Sequence, residues 1–245
     1  SVGLAPEAVG QLQERTEGWA AGLVLAGLSL RDVGDVDKFA STFHGDDQLV
    51  ADYLTEEFLD SLYNDRERDR LLDASVLERM TGPLIDELTG GDDGAAWLRL
   101  LAGSNQLVIT LDRKGIWFRF HHLLRDVLRL ELQRSAPERV SYLHRCAGEW
   151  HRRSGNIDDA IEHLLQAGEL ETAADLIASN ATRLLNRGQT YTVTRLLDRL
   201  GEVAHRHGGA STVWGWICFV TGRFAEAKVW LERARPLDKD DDDTG

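Results

Sequence analysis

The sequence contains little cysteine and no long apolar stretch. Two cysteines, Cys146 and Cys218, are too few for a secreted disulfide scaffold, so we expect a reducing, cytoplasmic location. The longest apolar candidate, residues 20–30, is shorter than the roughly 18 consecutive residues that a membrane span needs. Residues 1–10 lack the basic and apolar regions of a signal peptide, and we expect no membrane contact. Because no initiating methionine is present, the sequence reads as a fragment of a longer protein.

Signatures of catalysis and of metal binding are also missing. The sequence has no G-x-x-x-x-G-K-[ST] phosphate loop, no G-x-S-x-G nucleophile motif and no C-x-x-C or H-E-x-x-H spacing. His121 and His122 are adjacent, so their side chains are not expected to face one ion without strain. His144 and His151 share a helix face, but a third ligand is not evident. The sequence therefore predicts no enzyme, no metal site and no cofactor bound by this segment alone.

Basic residues are outnumbered by acidic ones, 28 against 41, which gives a formal net charge of −13. This excess argues against non-specific binding of nucleic acid. Residues 65–121 follow the same trend, with ten acidic and eight basic residues. Within them, the predicted helix at residues 94–104 offers only Arg99 for reading base edges. We therefore expect this segment to pack against protein and not to bind DNA.

Most of the sequence carries helical periodicity. In residues 1–64, the stretches PEAVGQLQERT and GWAAGLVLAGLSLRD place Leu, Val and Ala at helical spacing, and Gly18 separates them. The next stretch, DQLVADYLTEEFLDSL, puts an apolar stripe on one helix face and acidic residues on the other. Residues 1–64 therefore predict a helical domain.

Residues 65–121 predict a winged helix. Three short helices are indicated by RDRLLDASVL, TGPLIDELTG and GAAWLRLLAGS. The second has Thr81 as its N-cap, Pro83 in its first turn and Gly90 as its stop. The stretches LVITL and IWFRF then flank DRKG, a tight turn that ends in Gly115. Three short helices followed by one β-hairpin is the order of a winged helix.

Residues 122–245 predict a helical linker and repeats of tetratricopeptide (TPR) type. Gly155, Gly188 and Gly222 are spaced by 33 and 34 residues. Each glycine is followed after five residues by a small residue and after nine by a leucine: Ala160, Val193 and Ala227, then Leu164, Leu197 and Leu231. A period of about 34 residues with a turn glycine, a small residue and a leucine is typical of stacked helical hairpins.

These patterns predict a mainly α protein with a helical domain, a winged helix carrying one β-hairpin, and TPR-like α-hairpin repeats. Five stretches resemble the MalT-like large ATP-binding LuxR-type transcriptional regulators, which are STAND ATPases: TEGWAAGLVLAGLSLR, YLTEEFLDSL, LLDASVLERMTGPLIDELTG, WFRFHHLLRDVLR and AGEWHRRSGNIDDAIEHLLQAGELETAADLI. The match covers nearly the whole chain in the family's order. In that family an ATPase domain precedes the helical domain and a C-terminal helix-turn-helix follows the repeats. The resemblance implies that this chain is the central part.

The resemblance also implies site residues. FHHLLRD is similar to the MHDLLRD signature that ends the winged helix in related switch ATPases, such as plant disease-resistance proteins. His121 stands at the motif histidine, which approaches the β-phosphate of ADP, and His122 replaces the motif aspartate. EGWAAG resembles the GLPLA-type stretch at the adenine, which implies Gly18, Trp19 and Ala20 near the base, although Ala20 stands where proline is usual. Purely structural roles are also open: Trp19 would pack in a core, and His121 would cap the following helix.

The function implied by the resemblance is regulation. The segment would couple the nucleotide state of the ATPase domain and effector binding on the repeats to self-association and transcription activation. The implied partners are the ATPase domain of the same chain, a small-molecule or protein effector, and DNA only through the C-terminal domain; ATP or ADP would bind in the full-length protein. Related regulatory regions also occur attached to serine/threonine kinases, so the output domain stays open. The sequence is also compatible with a stand-alone TPR-like adaptor for protein–protein interaction and, more weakly, with a winged-helix DNA-binding protein.

Overall fold

The computed structural model describes residues 6–29, 43, 48–56, 64–104 and 107–234. It divides into two compact units, Ser1–Leu143 and His144–Gly245. The described part is mainly helical and contains a single two-stranded antiparallel sheet, which confirms the predicted fold class. None of the helices in these ranges is both long enough and apolar enough to cross a membrane. The predicted domain limits 1–64, 65–121 and 122–245 stay predictions.

The first unit begins with helices and contains the β-hairpin. Its elements are α1 (Pro6–Arg15), α2 (Ala20–Ser29), α3 (Gln48–Leu54), α4 (Asp65–Ala74), α5 (Gly82–Thr89), α6 (Gly94–Ser104), β1 (Val108–Thr110), β2 (Phe118–Phe120) and α7 (His122–Ser135). Helix α8 (Pro137–Arg153) follows and extends into the second unit.

The hairpin forms as the sequence predicts. Strands β1 and β2 pair antiparallel with Ile109 opposite Arg119, and Gly115 supplies the positive φ of 62° in the turn between them. An isolated bridge joins Met80 to Phe118 and ties the hairpin to the loop before α5. Because β2 runs directly into α7, the hairpin fixes where the two histidines at the start of that helix lie.

Helix α5 begins and ends at the predicted residues, but its cap differs from the expectation. Thr81 occupies the N-cap position with extended backbone, Pro83 lies in the first turn, and Gly90 ends the helix in the left-handed conformation with φ 67°. The Thr81 side chain makes no capping hydrogen bond, and its hydroxyl is buried without a partner among the described residues. Burial, which the local pattern does not show, therefore overrides the expected cap.

The core of the first unit lies between the winged-helix elements and α7. Its fully buried side chains are Leu71, Leu77, Met80, Leu84, Ile85, Leu98, Leu123, Leu124 and Leu128. Helices α5 and α6 approach closely where glycine removes the side chain: a Cβ on Gly82 would lie 2.6 Å from the backbone nitrogen of Ala95. This packing holds α7, and with it the strand-to-helix junction, against the rest of the unit.

The second unit consists of helices. They are α9 (Ile157–Ala167), α10 (Leu170–Asn186), α11 (Thr190–Arg199), α12 (Glu202–Arg206), α13 (Gly208–Val220) and α14 (Phe224–Arg233).

The three period glycines each lie between two successive helices. Their φ angles are 77°, 73° and 79° for Gly155, Gly188 and Gly222, so each makes the same left-handed turn that a side chain would disfavour. The small residue after each glycine is buried: Ala160, Val193 and Ala227. The third leucine departs from the pattern, since Leu231 is 44% exposed whereas its two counterparts are buried. These positions support a repeat of helical hairpins, and the TPR type stays a prediction.

Candidate functional site

The turn between α1 and α2 lies against the junction of β2 and α7. Thr16 follows the last residue of α1, and its hydroxyl donates to the Leu12 carbonyl at 2.9 Å. Gly18, with φ 78°, then reverses the chain into α2. We call the groups that meet here the junction cluster. Its members are Thr16, Glu17, Trp19, Arg119, His121 and His122.

His121 is the buried centre of the junction cluster. It is 2% exposed, and its Nε2 lies 2.9 Å from the carbonyl oxygen of Thr16. Its Nδ1 accepts the backbone N–H of Leu123 at 3.3 Å, which makes His121 the N-cap of α7. Because Nδ1 accepts, the proton of the neutral ring is on Nε2 and is donated to Thr16. Burial lowers the pKa of His121, against the opposing pull of the Thr16 carbonyl, and favours this neutral form.

Glu17 is the acidic member of the junction cluster. The Arg119 guanidinium donates to both of its carboxylate oxygens, at 3.1 and 2.8 Å, and Nδ1 of His122 lies 3.0 Å from one of them. Nε2 of His121 is 4.0 Å from the other. Partial burial opposes ionisation, but the hydrogen bonds from Arg119 and His122 outweigh it and leave the pKa of Glu17 below its ordinary value. The carboxylate is therefore ionised at neutral pH.

The predicted site residues are partly brought together. The Trp19 ring centroid is 5.9 Å from that of His121 and also 5.9 Å from that of Tyr53. Gly18 forms the turn beside it, while Ala20 is exposed at the start of α2. Of the structural roles considered, His121 caps α7, whereas Trp19 is half-buried and packs against the rings of Tyr53 and His121.

Glu17 and Arg119 were not identified from the sequence as site residues. They are separated by 102 positions, and no local pattern links a residue before a turn glycine to one in a strand. The alternation of IWFRF does place Arg119 on the face opposite Phe118 and Phe120, which are both buried. The alternation therefore indicated that Arg119 faces away from the apolar core, on the side where Glu17 lies.

The side chains of His121 and His122 were not expected to face one ion without strain, and the structure places both beside Glu17. Their rings stack, with centroids 4.8 Å apart and planes 20° apart, and each places a nitrogen near Glu17. Ligand atoms of these three residues lie within 4.8 Å of one another, which is close enough to consider a cation. These potential metal ligands nevertheless already have partners. Nδ1 of His121 accepts the N–H of Leu123, and the Glu17 carboxylate accepts a hydrogen bond from Arg119. A cation that binds the Glu17 carboxylate would have to displace Arg119 from it.

A second histidine group lies in the second unit. The sequence paired His144 with His151, and the structure adds His163 as the missing third member. Nδ1 of His163 is 2.9 Å from Nδ1 of His144, and its ring stacks on His151 with centroids 5.5 Å apart. One ring nitrogen of the first pair must donate and the other accept, so this hydrogen bond requires at least one unprotonated Nδ1. The group is built into the packing of α8 on α9.

Comparison with known proteins gives matches of two kinds. Residues 55–140 match the family described as the MalT winged helix domain, a range that includes the predicted winged helix. The serine/threonine-protein kinase PknK of Mycobacterium tuberculosis (strain ATCC 25618 / H37Rv) is 34% identical over 189 residues, which are 77% of this chain and 17% of the kinase. The HTH-type transcriptional regulator MalT of Yersinia enterocolitica is 31% identical over 227 residues, 91% of this chain and 25% of that protein. MalT of Serratia proteamaculans is 30% identical over 233 residues, with coverages of 94% and 26%. The chain thus spans about a quarter of the MalT proteins it matches.

Proposed function

The chain is MalT-like and carries a MalT-type winged helix domain, and on this premise we propose that it is the regulatory segment of an ATP-dependent transcriptional regulator. In this role it senses whether ADP or ATP occupies an ATPase domain of the same polypeptide. It couples that state and effector binding to self-association and transcription activation. DNA is bound by another domain, and the segment itself catalyses nothing.

The two kinds of relative support a regulatory role. One is named a serine/threonine-protein kinase and the others HTH-type transcriptional regulators, yet each matches this chain over most of its length. A segment that is found in proteins with different output activities, such as phosphorylation and transcription activation, is expected to contribute a step that these proteins share. Control of the output by a bound ligand is such a step, whereas kinase chemistry or base reading is not.

The observation that carries the proposal is the position of His121. Its ring joins the α1–α2 turn to the winged helix, with one nitrogen on the Thr16 carbonyl and the other on the α7 backbone. A ring N–H that donates to a carbonyl can equally donate to a phosphate oxygen, and the charge of the phosphate strengthens that bond. If the β-phosphate of ADP accepts the Nε2 hydrogen bond in place of the Thr16 carbonyl, the contact that joins the two elements changes. This makes His121 a two-state contact biased by the nucleotide.

The second unit offers a surface suited to an effector or to self-association. Helices α13 and α14 expose the aromatic side chains of Trp216, Phe219 and Phe224, which are 54%, 52% and 64% exposed. Trp216 stacks with Phe219 at 5.9 Å, and Phe219 meets Phe224 edge-on at 5.6 Å. Contiguous exposed aromatic groups are unusual on a surface that stays in water. We assign effector binding or self-association to this unit and nucleotide sensing to the first.

The test uses the intact protein. His121→Ala should release ADP faster and raise the basal output in the absence of effector, because the nucleotide loses its contact with the winged helix. His205→Ala, which removes an exposed histidine of the second unit, is the control for ADP release and should leave that rate unchanged. ADP retention equal to that of the wild type in the His121 variant would refute the sensing role.

A second candidate output is protein phosphorylation, and the 34% identity to a kinase favours it. The coding sequence on both sides of the segment in its native gene decides between the outputs. A phosphate loop upstream with a helix-turn-helix downstream supports the transcriptional regulator, and a kinase domain supports the other. Start and stop codons directly at the two ends would instead support the stand-alone adaptor.

A further inference from the structure

Two histidines of the second unit, one from α8 and one from α9, point ring nitrogens at each other. Nδ1 of His144 lies 2.9 Å from Nδ1 of His163, and the ring centroids are 5.1 Å apart. His163 is 9% exposed and His144 is half-buried, so the contact lies at the edge of the interface between the two helices. Metal centres of helical proteins are built from side chains that converge in this way from facing helices.

The separation of the two nitrogens is close to that in a zinc site. In a tetrahedral centre with Zn–N bonds of about 2.0–2.1 Å, two nitrogen ligands lie about 3.3 Å apart. The distance of 2.9 Å therefore has to widen by only about 0.4 Å to admit the ion. In the ion-free protein one ring donates its Nδ1 proton to the other, so the two rings are in different tautomers.

A carboxylate lies on the same face of α9. Asp159 precedes His163 by four residues, about one helical turn, which places the two side chains next to each other. Oδ2 of Asp159 is 3.9 Å from Nδ1 of His151 on α8, so the carboxylate is directed towards that helix. The Asp159 side chain is 37% exposed, and it can therefore turn towards the two facing rings without leaving a cavity in the core.

The packing of α8 on α9 fixes the rings. His151 is 3% exposed and stacks on His163 with planes 11° apart and centroids 5.5 Å apart. Gly148 lies on α8 between His144 and His151, and a Cβ there would lie 2.9 Å from Cγ of Leu164. The two helices therefore approach closely beside the histidines. Ligands held on packed helices are positioned more precisely than ligands on loops.

We propose that His144, His163 and Asp159 bind a divalent transition-metal ion such as Zn²⁺, with His151 as a positioning residue that holds the His163 ring. Two imidazole nitrogens and one carboxylate suit Zn²⁺, Co²⁺ and Ni²⁺, whereas Mg²⁺ and Ca²⁺ prefer oxygen ligands only. Water completes the coordination. Because both Nδ1 atoms must be unprotonated to bind the ion, the ring that carried its proton on Nδ1 takes the Nε2–H tautomer.

The site lies apart from nucleotide sensing and goes beyond the proposed function. Its ligands all belong to the second unit, and the ion would link α8 to α9 through side chains from both helices. An ion that binds only the folded unit stabilises it. The packing of this helix pair would then depend on the supply of the metal.

The test is a titration of the 245-residue chain, prepared without a histidine tag, with Co²⁺. The visible absorption of Co²⁺ reports its ligands, and competition by Zn²⁺ gives the dissociation constant for zinc. His144→Gln keeps an amide N–H that can donate to His163 but removes a metal ligand, and should weaken binding by more than about 100-fold. Asp159→Asn removes the charge and should weaken binding by about tenfold.

Two variants serve as controls. His207, whose Nε2 lies 3.0 Å from Asp175, belongs to another histidine–carboxylate pair of the same unit. His207→Gln should leave the dissociation constant unchanged. His122→Gln tests whether the ion binds in the junction cluster instead, and it should also have no effect. In the wild type, ¹⁵N NMR of the rings of His144 and His163 should show both as Nε2–H tautomers once Zn²⁺ is added.

The outcomes are distinct. Absence of Co²⁺ binding, or an equal loss of affinity in His144→Gln and His207→Gln, would overturn the proposal. A loss in His122→Gln alone would place the ion in the junction cluster and would overturn it as well. Unchanged affinity in Asp159→Asn would remove the carboxylate from the ligand set. If His144→Gln does not fold, the tautomers of the wild type decide: rings that keep different tautomers in the presence of Zn²⁺ would refute the site.

Discussion

Two substitutions of His121 distinguish its capping bond from its contact with the α1–α2 turn. The ring accepts the Leu123 N–H through Nδ1 and donates to the Thr16 carbonyl through Nε2. His121→Asn retains an acceptor for the capped N–H, since asparagine is among the best N-caps, but its shorter amide does not reach Thr16. His121→Ala removes both contacts and the buried ring.

The expected losses of stability follow from these contacts. The cap contributes about 1 kcal/mol, and the buried hydrogen bond to Thr16 contributes about 1 kcal/mol. Removing a ring that is 2% exposed leaves a cavity that costs about 1–2 kcal/mol more. His121→Asn should therefore lower the free energy of unfolding by about 2 kcal/mol, and His121→Ala by about 3–4 kcal/mol.

The same ring makes stability depend on pH. Because burial lowers the folded-state pKa of His121 below 6.5, the unfolded chain binds a proton at a higher pH than the folded chain does. The contribution of the His121 ring to stability is therefore fully present above the pKa that the ring has in the unfolded chain. It is lost as the pH falls from that value towards the lower pKa of the folded chain. Both variants lack this pH-dependent contribution. The difference in free energy of unfolding between the wild type and each variant should therefore shrink as the pH falls.

Amide hydrogen exchange measures this locally, without requiring both units to unfold together. Protection of the Leu123 and Trp19 amides should be compared at about pH 7.5 and about pH 5.5, after correction for the intrinsic exchange rate. Leu123 should lose more protection in His121→Ala than in His121→Asn, whereas Trp19 should lose it in both. Equal loss at Leu123 in the two variants would refute the capping role. A pH dependence in the variants as steep as in the wild type would refute its assignment to His121.

Two further predictions concern the winged helix. Burial raises the pKa of Asp73 to about 6 although Arg139 donates to it at 2.6 Å, so stability is lost as pH rises from the unfolded value of 3.8 towards 6. Asp73→Asn should abolish that loss and stabilise the chain at neutral pH by about 1–3 kcal/mol in urea denaturation; destabilisation there would contradict it. Gly82→Ala should lower the free energy of unfolding by about 2–3 kcal/mol, because the new Cβ would meet backbone across the α5–α6 contact. Gly103→Ala is the control, since a Cβ there would meet nothing within 4 Å. It should leave stability unchanged or raise it by up to about 1 kcal/mol. Equal melting temperatures for the two glycine variants would show that the close contact is not tight.

Local features of the fold were predictable from the sequence. Gly90, Gly115 and the period glycines occupy left-handed positions because only glycine adopts them without strain, so each marks a turn wherever it lies in the chain. The alternation of IWFRF and the helical stripes likewise report short-range geometry. The Thr81 cap was predicted in position but not in bonding, because its hydroxyl is buried by elements that the local pattern does not contain.

The sequence by itself determined the kinds of elements, their turns and the candidacy of Trp19 and His121. Only the tertiary structure decided that Glu17 meets Arg119 across 102 positions and that His121 donates to Thr16. It also decided that the rings of the two adjacent histidines stack on each other. The physical reason is range: propensities and periodicity act over a few residues, whereas the junction cluster exists because the packed core brings α7 and β2 to the α1–α2 turn. The choice between a capping histidine and a sensing one depends on that long-range contact.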